Sequence, residues 1–417
     1  MTTSPPSKLH SPEERFHALA AAGRSIFLTG AAGTGKSFQI DRFTSAHPGT
    51  DVTASTGVAA LNVGGMTIHR WAGMLLGPAE EECPKAYFSR LASDPRRGVQ
   101  AGLARVRSAR RVVIDEISML PGRLLEYFDI HCRMAREDSR PFGGLQVIST
   151  GDFLQLPPVR ISPAQPYDWA FDAPVWERAA FAKVELTQVR RQDDPDFIRV
   201  LSSLRSGLLD RDARSVLGPR VSPFPDRSWT RLLTHNVQVD RWNDYCLGEL
   251  PGTEQILEAV CTGTPDQIAF LEKNLLTPRT LRLKPGARVM FTLNRSDGGF
   301  VNGQTGTVSG FRGGSVIVET EGSAVAVEPW TWRVDPKDRG SASFTQYPLR
   351  LAYAMTIHKA QGLSLDAAFI DIRAAREPGQ AYVAVSRVRS LAGLHLKDWP
   401  RGLFVSTRAL DFHHTSP

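Results

Sequence analysis

The stretch SIFLTGAAGTGKSFQI (25–40) decides how the chain folds. Four mostly apolar, β-prone residues run into GAAGTGKS, Gly30 to Ser37, and a helical pattern follows. This is GxxxxGKS between a strand and a helix, the setting in which the motif holds phosphate. Each residue type has a reason. Gly30, Gly33 and Gly35, with Thr34 between the last two, let backbone N–H groups curl around phosphate oxygens, and the following helix adds its positive N-terminal end. Lys36 sets an ammonium against the β- and γ-phosphates, and Ser37 offers a hydroxyl to Mg2+. A Gly-rich turn that binds nothing is the weaker reading in this context.

Downstream, RVVIDEISML (111–120) supplies a partner. β-Prone residues end in Asp115-Glu116 at the mouth of a buried strand, where α/β sheets gather their ligands. Asp115 is expected in the Mg2+ shell, with Glu116 orienting and deprotonating the attacking water. An acidic pair after a strand is often only a solvated turn; a P-loop upstream favours the catalytic reading. STGDFLQLPPV (149–159) then fixes a neutral amide, Gln155, between Leu154 and Leu156, and Pro157-Pro158 stiffen the exit.

Around these motifs, short apolar runs alternate with helical patterns, which argues for parallel α/β sheets. The strand candidates are SIFL (25–28), DVTA (51–54), RVVID (111–115), QVIST (146–150), TRLLT (230–234), LRLAYA (349–354) and AAFIDI (367–372). Residues 284–335 differ in character: KPGARVMFTL, NGQTGTVSGF and GSVIVET read as strands joined by Gly-rich turns, a small β-barrel inserted in the second α/β unit. The Asn302-Gly303 pair marks a hairpin there. Residues 75–105 are charged and weakly periodic and read as an insertion in the first unit. Residues 1–12 and the tail after about Thr407 are expected to be disordered.

At 417 residues the chain has room for two or three cores. Its 41% hydrophobic and 22% charged residues suit a soluble protein, and no apolar run approaches the ~20 residues that span a bilayer. The start, MTTSPPSKLHSPEER, has no apolar signal region. Cys83, Cys132, Cys246 and Cys261 form no CxxC pair, so reduced thiols in a cytoplasmic protein are expected instead of a zinc site or disulfides. A net charge of +7 fits a polyanionic partner and a plain basic surface equally well. Thr56-Gly57, Thr67 and His69, in VTASTGVAALNVGGMTIHRWAG (52–73), suit a phosphodiester backbone, though a packed Gly/Ala turn explains them too.

Taken together, GAAGTGKS, ASTGVAA, GGMTIH, VVIDEISM, GDFLQLPPV, LTQVRRQDDPDFI, TIHKAQGLSLD and AYVAVSRV stand in the order found in superfamily-one DNA helicases. The set resembles the Pif (petite integration frequency) branch, with RecD and Dda-type helicases as near relatives, over about Ser25 to Val388. The resemblance implies two RecA-like P-loop domains, 1–165 and 166–250 with 345–407. An SH3-like barrel (251–344) would be inserted in the second and the short 75–105 segment in the first, leaving a tail at 408–417. It implies ATP and Mg2+, with Gln155, Arg191 and Arg387 at the γ-phosphate and Gln361-Gly362 linked to the nucleotide. A guanidinium there stabilises transition-state charge. Arg190 precedes Arg191 where relatives often carry an aromatic.

Thr356 and His358 would grip DNA, although by chemistry alone His358 fits a satisfied core histidine as well. Tyr87 and Phe88 are candidates for a strand-splitting wedge or for plain packing. The implied activity is unwinding of duplex coupled to 5′-to-3′ movement on single-stranded DNA, with forked duplex as substrate and structured DNA as a further candidate; with no visible oligomerisation element, a monomer is expected. Repair, recombination and genome maintenance are the implied settings. A translocase subunit that moves on single strands without separating duplex is the alternative.

One departure bears on the nucleotide. Where relatives place a Gln that reads adenine, this chain has Glu13, whose carboxylate accepts from the adenine amino group but cannot donate to N7. ATP, GTP and UTP are therefore expected to be hydrolysed with comparable kcat/KM. A strong preference for ATP in steady-state assays refutes this.

Overall fold

β1 (Ile26–Gly30) is buried at every residue, because its side chains alternate between two apolar layers. Ile26 and Leu28 join Phe16, Ile40, Phe43, Val113, Ile148 and Val184 on one face. Phe27 joins Val112, Ile114, Val147 and Phe128 on the other. A strand covered on both sides belongs inside a parallel sheet. The computed structural model describes residues 11–74, 82–160, 162, 164–222, 226, 229–295, 299–320, 323–333, 342–398 and 402–415. The chain divides into a first unit, Met1–Arg191 with Ser406–Pro417, and a second, Gln192–Val405.

In the first unit β1 joins β2 (Asp51–Ala54), β3 (Met66–Thr67), β4 (Arg111–Asp115), β5 (Gln146–Thr150) and β6 (Ala182–Leu186). The order is β3-β2-β4-β5-β1-β6, and all pairs are parallel. β6 pairs with β1 from Ile26↔Ala182 to Gly30↔Leu186, so the boundary expected at 165 falls instead after Arg191. Within the expected insertion, 75–81 lie outside the described residues. The remainder forms helices Pro84–Ala92 and Arg97–Ser108, whose Phe88, Val99 and Leu103 enter the core. Phe88 is thereby a packing residue, and Tyr87 donates its hydroxyl to Met74 O at 3.1 Å.

Of the two ends expected to be disordered, residues 1–10 and 416–417 lie outside the described residues, and the described parts, 11–12 and 407–415, are helical or cap a helix. Ser11 caps a helix over Pro12–Ala21, with Glu14 closing the capping box. The tail forms helix Thr407–Thr415. Its Phe412 stacks on Phe171 with centroids 4.2 Å apart and meets Phe153 edge-on at 5.3 Å. Arg408 pairs with Asp172, and Lys183 Nζ donates to His413 O at 3.1 Å. Tertiary contacts hold a segment whose own pattern is too short to hold itself.

The second unit holds β7 (Thr230–Leu233), β8 (Gln255–Glu258), β9 (Val260–Thr262), β10 (Thr280–Leu283), β11 (Arg288–Phe291), β12 (Thr305–Arg312), β13 (Ser315–Thr320), β14 (Ser323–Val327), β15 (Trp330–Arg333), β16 (Ser343–Gln346), β17 (Leu349–Leu351), β18 (Ala354–Thr356), β19 (Ala368–Ile370) and β20 (Leu394–Leu396). A parallel sheet has the order β18-β7-β19-β20, and an antiparallel one β14-β13-β12-β11-β17. Asn302-Gly303 is the centre of a turn just ahead of β12, with Gln304 N donating to Val301 O at 3.1 Å and Gly303 at φ 90°, and not a two-residue hairpin joining β11 to β12. LRLAYA, expected as one strand, is two. Leu349–Leu351 closes the antiparallel sheet, and the chain then starts β18 in the parallel one. No described helix is long and apolar enough to cross a membrane.

His131 gives the first unit a pH dependence. It is buried on helix Gly122–Arg136, its Nε2 donates to Ala72 O at 2.9 Å, and its ring meets Phe88. Loss of hydration pushes its pKa down to about 4. The folded value lies below the unfolded one, so the unfolded chain takes the proton first. The contribution is complete above about pH 6.5 and is lost as pH falls toward 4. Urea unfolding should show wild type losing roughly 3 kcal/mol more than His131→Gln between pH 7 and pH 4.

Candidate active site

Parallel pairing brings the motif residues of the first unit to one sheet edge. β5 lies between β4 and β1, with Ile114 opposite Ser149 and Leu28 opposite Thr150. The segments after Gly30, Asp115 and Thr150 therefore leave the sheet side by side. Gly30 has φ 146°, and a Cβ there would stand 2.5 Å from Leu186 O, so no larger residue fits. Gly33 and Gly35 follow at φ 82° and 91°. Gly35 is the N-cap of helix Lys36–Ala46 and brings no side-chain cap, which leaves the first-turn N–H groups for an anion. Lys36 Nζ donates to Gly30 O at 2.8 Å and Ala31 O at 3.1 Å, folded over the loop it serves. Thr34 Oγ1 braces Ala31 O at 2.9 Å, and Ser37 is exposed at the helix start.

Asp115 ends β4 with its carboxylate accepting from Glu116 N at 2.9 Å. Its pKa is raised to about 7, first by burial and then by the charge of Glu116, against the pull of Lys36. Glu116 adopts a left-handed conformation, φ 52° and ψ 47°, uncommon for a residue with a Cβ. Ser55 secures the turn, its N–H donating to Asp115 O and its hydroxyl to Glu116 O at 2.7 Å. Among the described residues no three His, Cys, Asp or Glu side chains cluster as a metal cage. A hydroxyl and an under-compensated carboxylate beside a phosphate loop are instead the donor set of Mg2+, which completes its shell with phosphate oxygens and water. Ser37 and Asp115 would hold it.

Gln155 is 4% exposed, between the buried Leu154 and Leu156. Asp152, itself buried, organises the turn. Its backbone O accepts from Gln155 N at 2.9 Å and Oδ1 from Leu154 N at 3.1 Å. Oδ2 accepts the Gln155 side-chain amide at 3.4 Å, a long bond that holds it only loosely. Arg190 sits against the P-loop, its N–H donating to Gly33 O at 2.8 Å and its Nη2 paired with Glu13 Oε1 at 3.0 Å. Arg191 is the last residue of this unit, not the first of the next.

At the exits of β2 and β3, Thr56 Oγ1 accepts from Ala59 N, Gly57 opens helix Gly57–Asn62, and Thr67 precedes helix Ile68–Ala72. His69 is half-buried, and burial lowers its pKa.

The second unit carries the remaining residues. Thr356 caps helix Ile357–Ala360 by accepting from Lys359 N, leaving His358 exposed. The protein packed around the ring still takes enough hydration from it to lower the His358 pKa, although part of the residue reaches solvent. Gln361 is buried and Gly362 has φ 83°. Arg387 is 2% exposed, with Nε donating to Val383 O at 2.9 Å and Nη2 to Ser386 Oγ at 2.8 Å. Gln192, which the motif reading passed over, is buried and donates to Ser386 O and Val388 O. It ties the end of VRRQ to AVSRV. Its position directly after the arginines was the available signal, and Asp152 had one in its place beside Gly151.

A Bdellovibrio bacteriovorus protein named ATP-dependent DNA helicase Pif1 is 38% identical over 403 residues, 95% of this chain and 89% of that protein. The chain belongs to the PIF1-like helicase family. The family model matches residues 15–213. The human ATP-dependent DNA helicase PIF1 is 39% identical over 424 residues, 99% of this chain, which spans 64% of the human protein's length. Among solved structures, Bacteroides sp Pif1 in complex with ADP-AlF4 matches with TM-score 0.83 at 28% identity, covering 98% of this chain and 96% of that one. Bacteroides Pif1 bound to ssDNA matches with TM-score 0.66 at 29% identity over the same shares.

For a PIF1-like helicase the first unit's geometry separates binding from turnover. Lys36→Ala removes the ammonium seated in the loop and should abolish ATP hydrolysis. Gln155→Ala should leave the KM for ATP within roughly threefold while kcat falls about 10²-fold, the scale for one preorganised donor. Steady-state ATPase assays check both, and equal rates for wild type and Gln155→Ala refute the role of Gln155.

Proposed function

We infer that this chain is an ATP-dependent DNA helicase. The observation that carries the inference is the convergence of Gly30–Ser37, Asp115-Glu116 and the Gly151–Gln155 turn on one edge of a parallel sheet. The chain also shares 38% identity over 89% of a protein named as such a helicase. The loop amides and Lys36 would hold the triphosphate, and Mg2+ when bound would neutralise charge between its phosphates. Glu116 would orient water and take its proton, and Gln155 would report the γ-phosphate through the rigid turn behind it. Sensing by Arg191 and Arg387, the Gln361-Gly362 link to nucleotide, and strand contacts by Thr56, Gly57, Thr67, His69, Thr356 and His358 belong to the same proposal.

Single-stranded and forked DNA are the proposed partners, supported by solved Pif1 structures on ssDNA and at forked dsDNA. Binding to backbone and stacked bases would be sequence-tolerant and salt-sensitive. Movement 5′ to 3′, an SH3-like character for the antiparallel sheet of the second unit, a monomeric working form and a cytoplasmic location complete the proposal. The motif resemblance supports the direction, the antiparallel order supports the sheet's character, and the four separated cysteines support the location.

Forked duplexes with a single 5′ or 3′ tail test it. With ATP and Mg2+, the 5′-tailed substrate should be displaced and the 3′-tailed one should not. Displacement from the 3′ tail instead overturns the direction. DNA-stimulated ATPase without displacement from either overturns the helicase reading in favour of a translocase.

A further inference from the structure

β11 and β17 are neighbours, with Val289 opposite Leu351, Met290 opposite Arg350 and Phe291 opposite Leu349. Val289, Phe291 and Leu349 face the apolar core of the antiparallel sheet, and Leu351 packs against it. Alternation then sets Arg288 and Arg350 on the opposite face, as diagonal neighbours. Arg350 is only 8% exposed. Its Nε and Nη1 are buried without a hydrogen bond, and so is Nε of Arg288. The remaining bond of Arg288, from Nη2 to Thr305 Oγ1, is 3.5 Å long. Burial pushes the Arg350 pKa down to about 10. Lys359, in TIHKAQG, is likewise pushed down, by its own burial and then by the charge of Arg350.

Acidic groups are within electrostatic reach: Asp240 for Arg350 and Lys359, Asp226 and Asp366 for Arg288. None of them closes a hydrogen bond to the three guanidinium nitrogens. A buried guanidinium with unmet donors is strongly unfavourable, and an apolar side chain of similar length would serve packing better. The planar fork of arginine matches the paired oxygens of a phosphate.

We propose that Arg350, with Arg288 and Lys359, forms a phosphate site that takes the backbone of a bound nucleic acid strand. The proposal rests on the helicase reading, because Lys359 shares its helix with Thr356 and His358. The site is filled when DNA is bound, and the unmet donors are the cost carried by the DNA-free protein.

The test is Arg350→Met in the full chain, with Arg288→Met as a second variant should the first fail to fold. Binding of a fluorescein-labelled oligo-dT is followed by anisotropy across NaCl concentrations. The slope of log K against log[NaCl] should shrink by about 0.7 for one lost phosphate contact on a single strand. Affinity at low salt should fall roughly tenfold. The thermal midpoint of the DNA-free variant should equal or exceed wild type, which separates a ligand site from a structural arginine. Wild-type slope and affinity in a folded variant overturn the proposal. So does inorganic phosphate stabilising wild type but not the variant while the DNA slope is unchanged, which would assign a free anion. Failure of wild type to bind oligo-dT removes the helicase reading itself, and the proposal with it.

Discussion

Because β4, β5 and β1 pair in parallel, the three segments that carry phosphate chemistry leave the sheet at the same edge. No one motif achieves this. At Gly30 a Cβ would stand 2.5 Å from Leu186 O, so the register of β1 against β6 and the shape of the loop are one constraint. A larger residue at 30 would push the loop off β6 and displace Lys36 from the carbonyls that seat it.

The electrostatics at that edge are left unbalanced on purpose of binding. Asp115 loses hydration and faces the charge of Glu116, with Lys36 as partial relief. A triphosphate bound with a divalent cation would supply both missing signs together: anionic oxygens for Lys36 and the loop amides, positive charge for the carboxylates. The left-handed turn at Glu116 stores a modest strain, held by the two bonds from Ser55. Strain of that kind persists where surrounding contacts over-determine it.

Much of the first unit was legible because its motifs carry their own context. Strand candidates 51–54, 111–115 and 146–150 match β2, β4 and β5 residue for residue. What was hidden depends on tertiary packing. LRLAYA reads as one continuous run with a single charge, Arg350, yet Leu349 and Leu351 answer to the antiparallel core while Ala354 and the following Met355 answer to the parallel sheet. Local pattern has no means to divide them. β6 went unread although Ala182–Leu186 alternates apolar and polar residues, because five residues of that pattern do not by themselves say which sheet they join, and that is set by pairing with β1. In the site, the P-loop and acidic pair could be read from residue type, but the Asp152 bonds to Leu154 and Gln155 and the grip of Gln192 could not. The grip of Gln192 is a relation between distant segments and the Asp152 bonds follow from the folded turn, so sequence position could mark these residues but not the bonds they make.

Helix Thr407–Thr415 returns to the first unit after the whole second unit has been traversed. In order of synthesis the consequence is large. Phe27, Phe153, Phe171 and Trp176 emerge early, and Phe412, which packs against each of them, follows only after the second unit. Domains ordinarily fold as units from the N-terminal side as the ribosome releases them. Here the aromatic cluster beside the Gln155 turn is complete only once helix Thr407–Thr415, beyond the second unit in sequence, has been made.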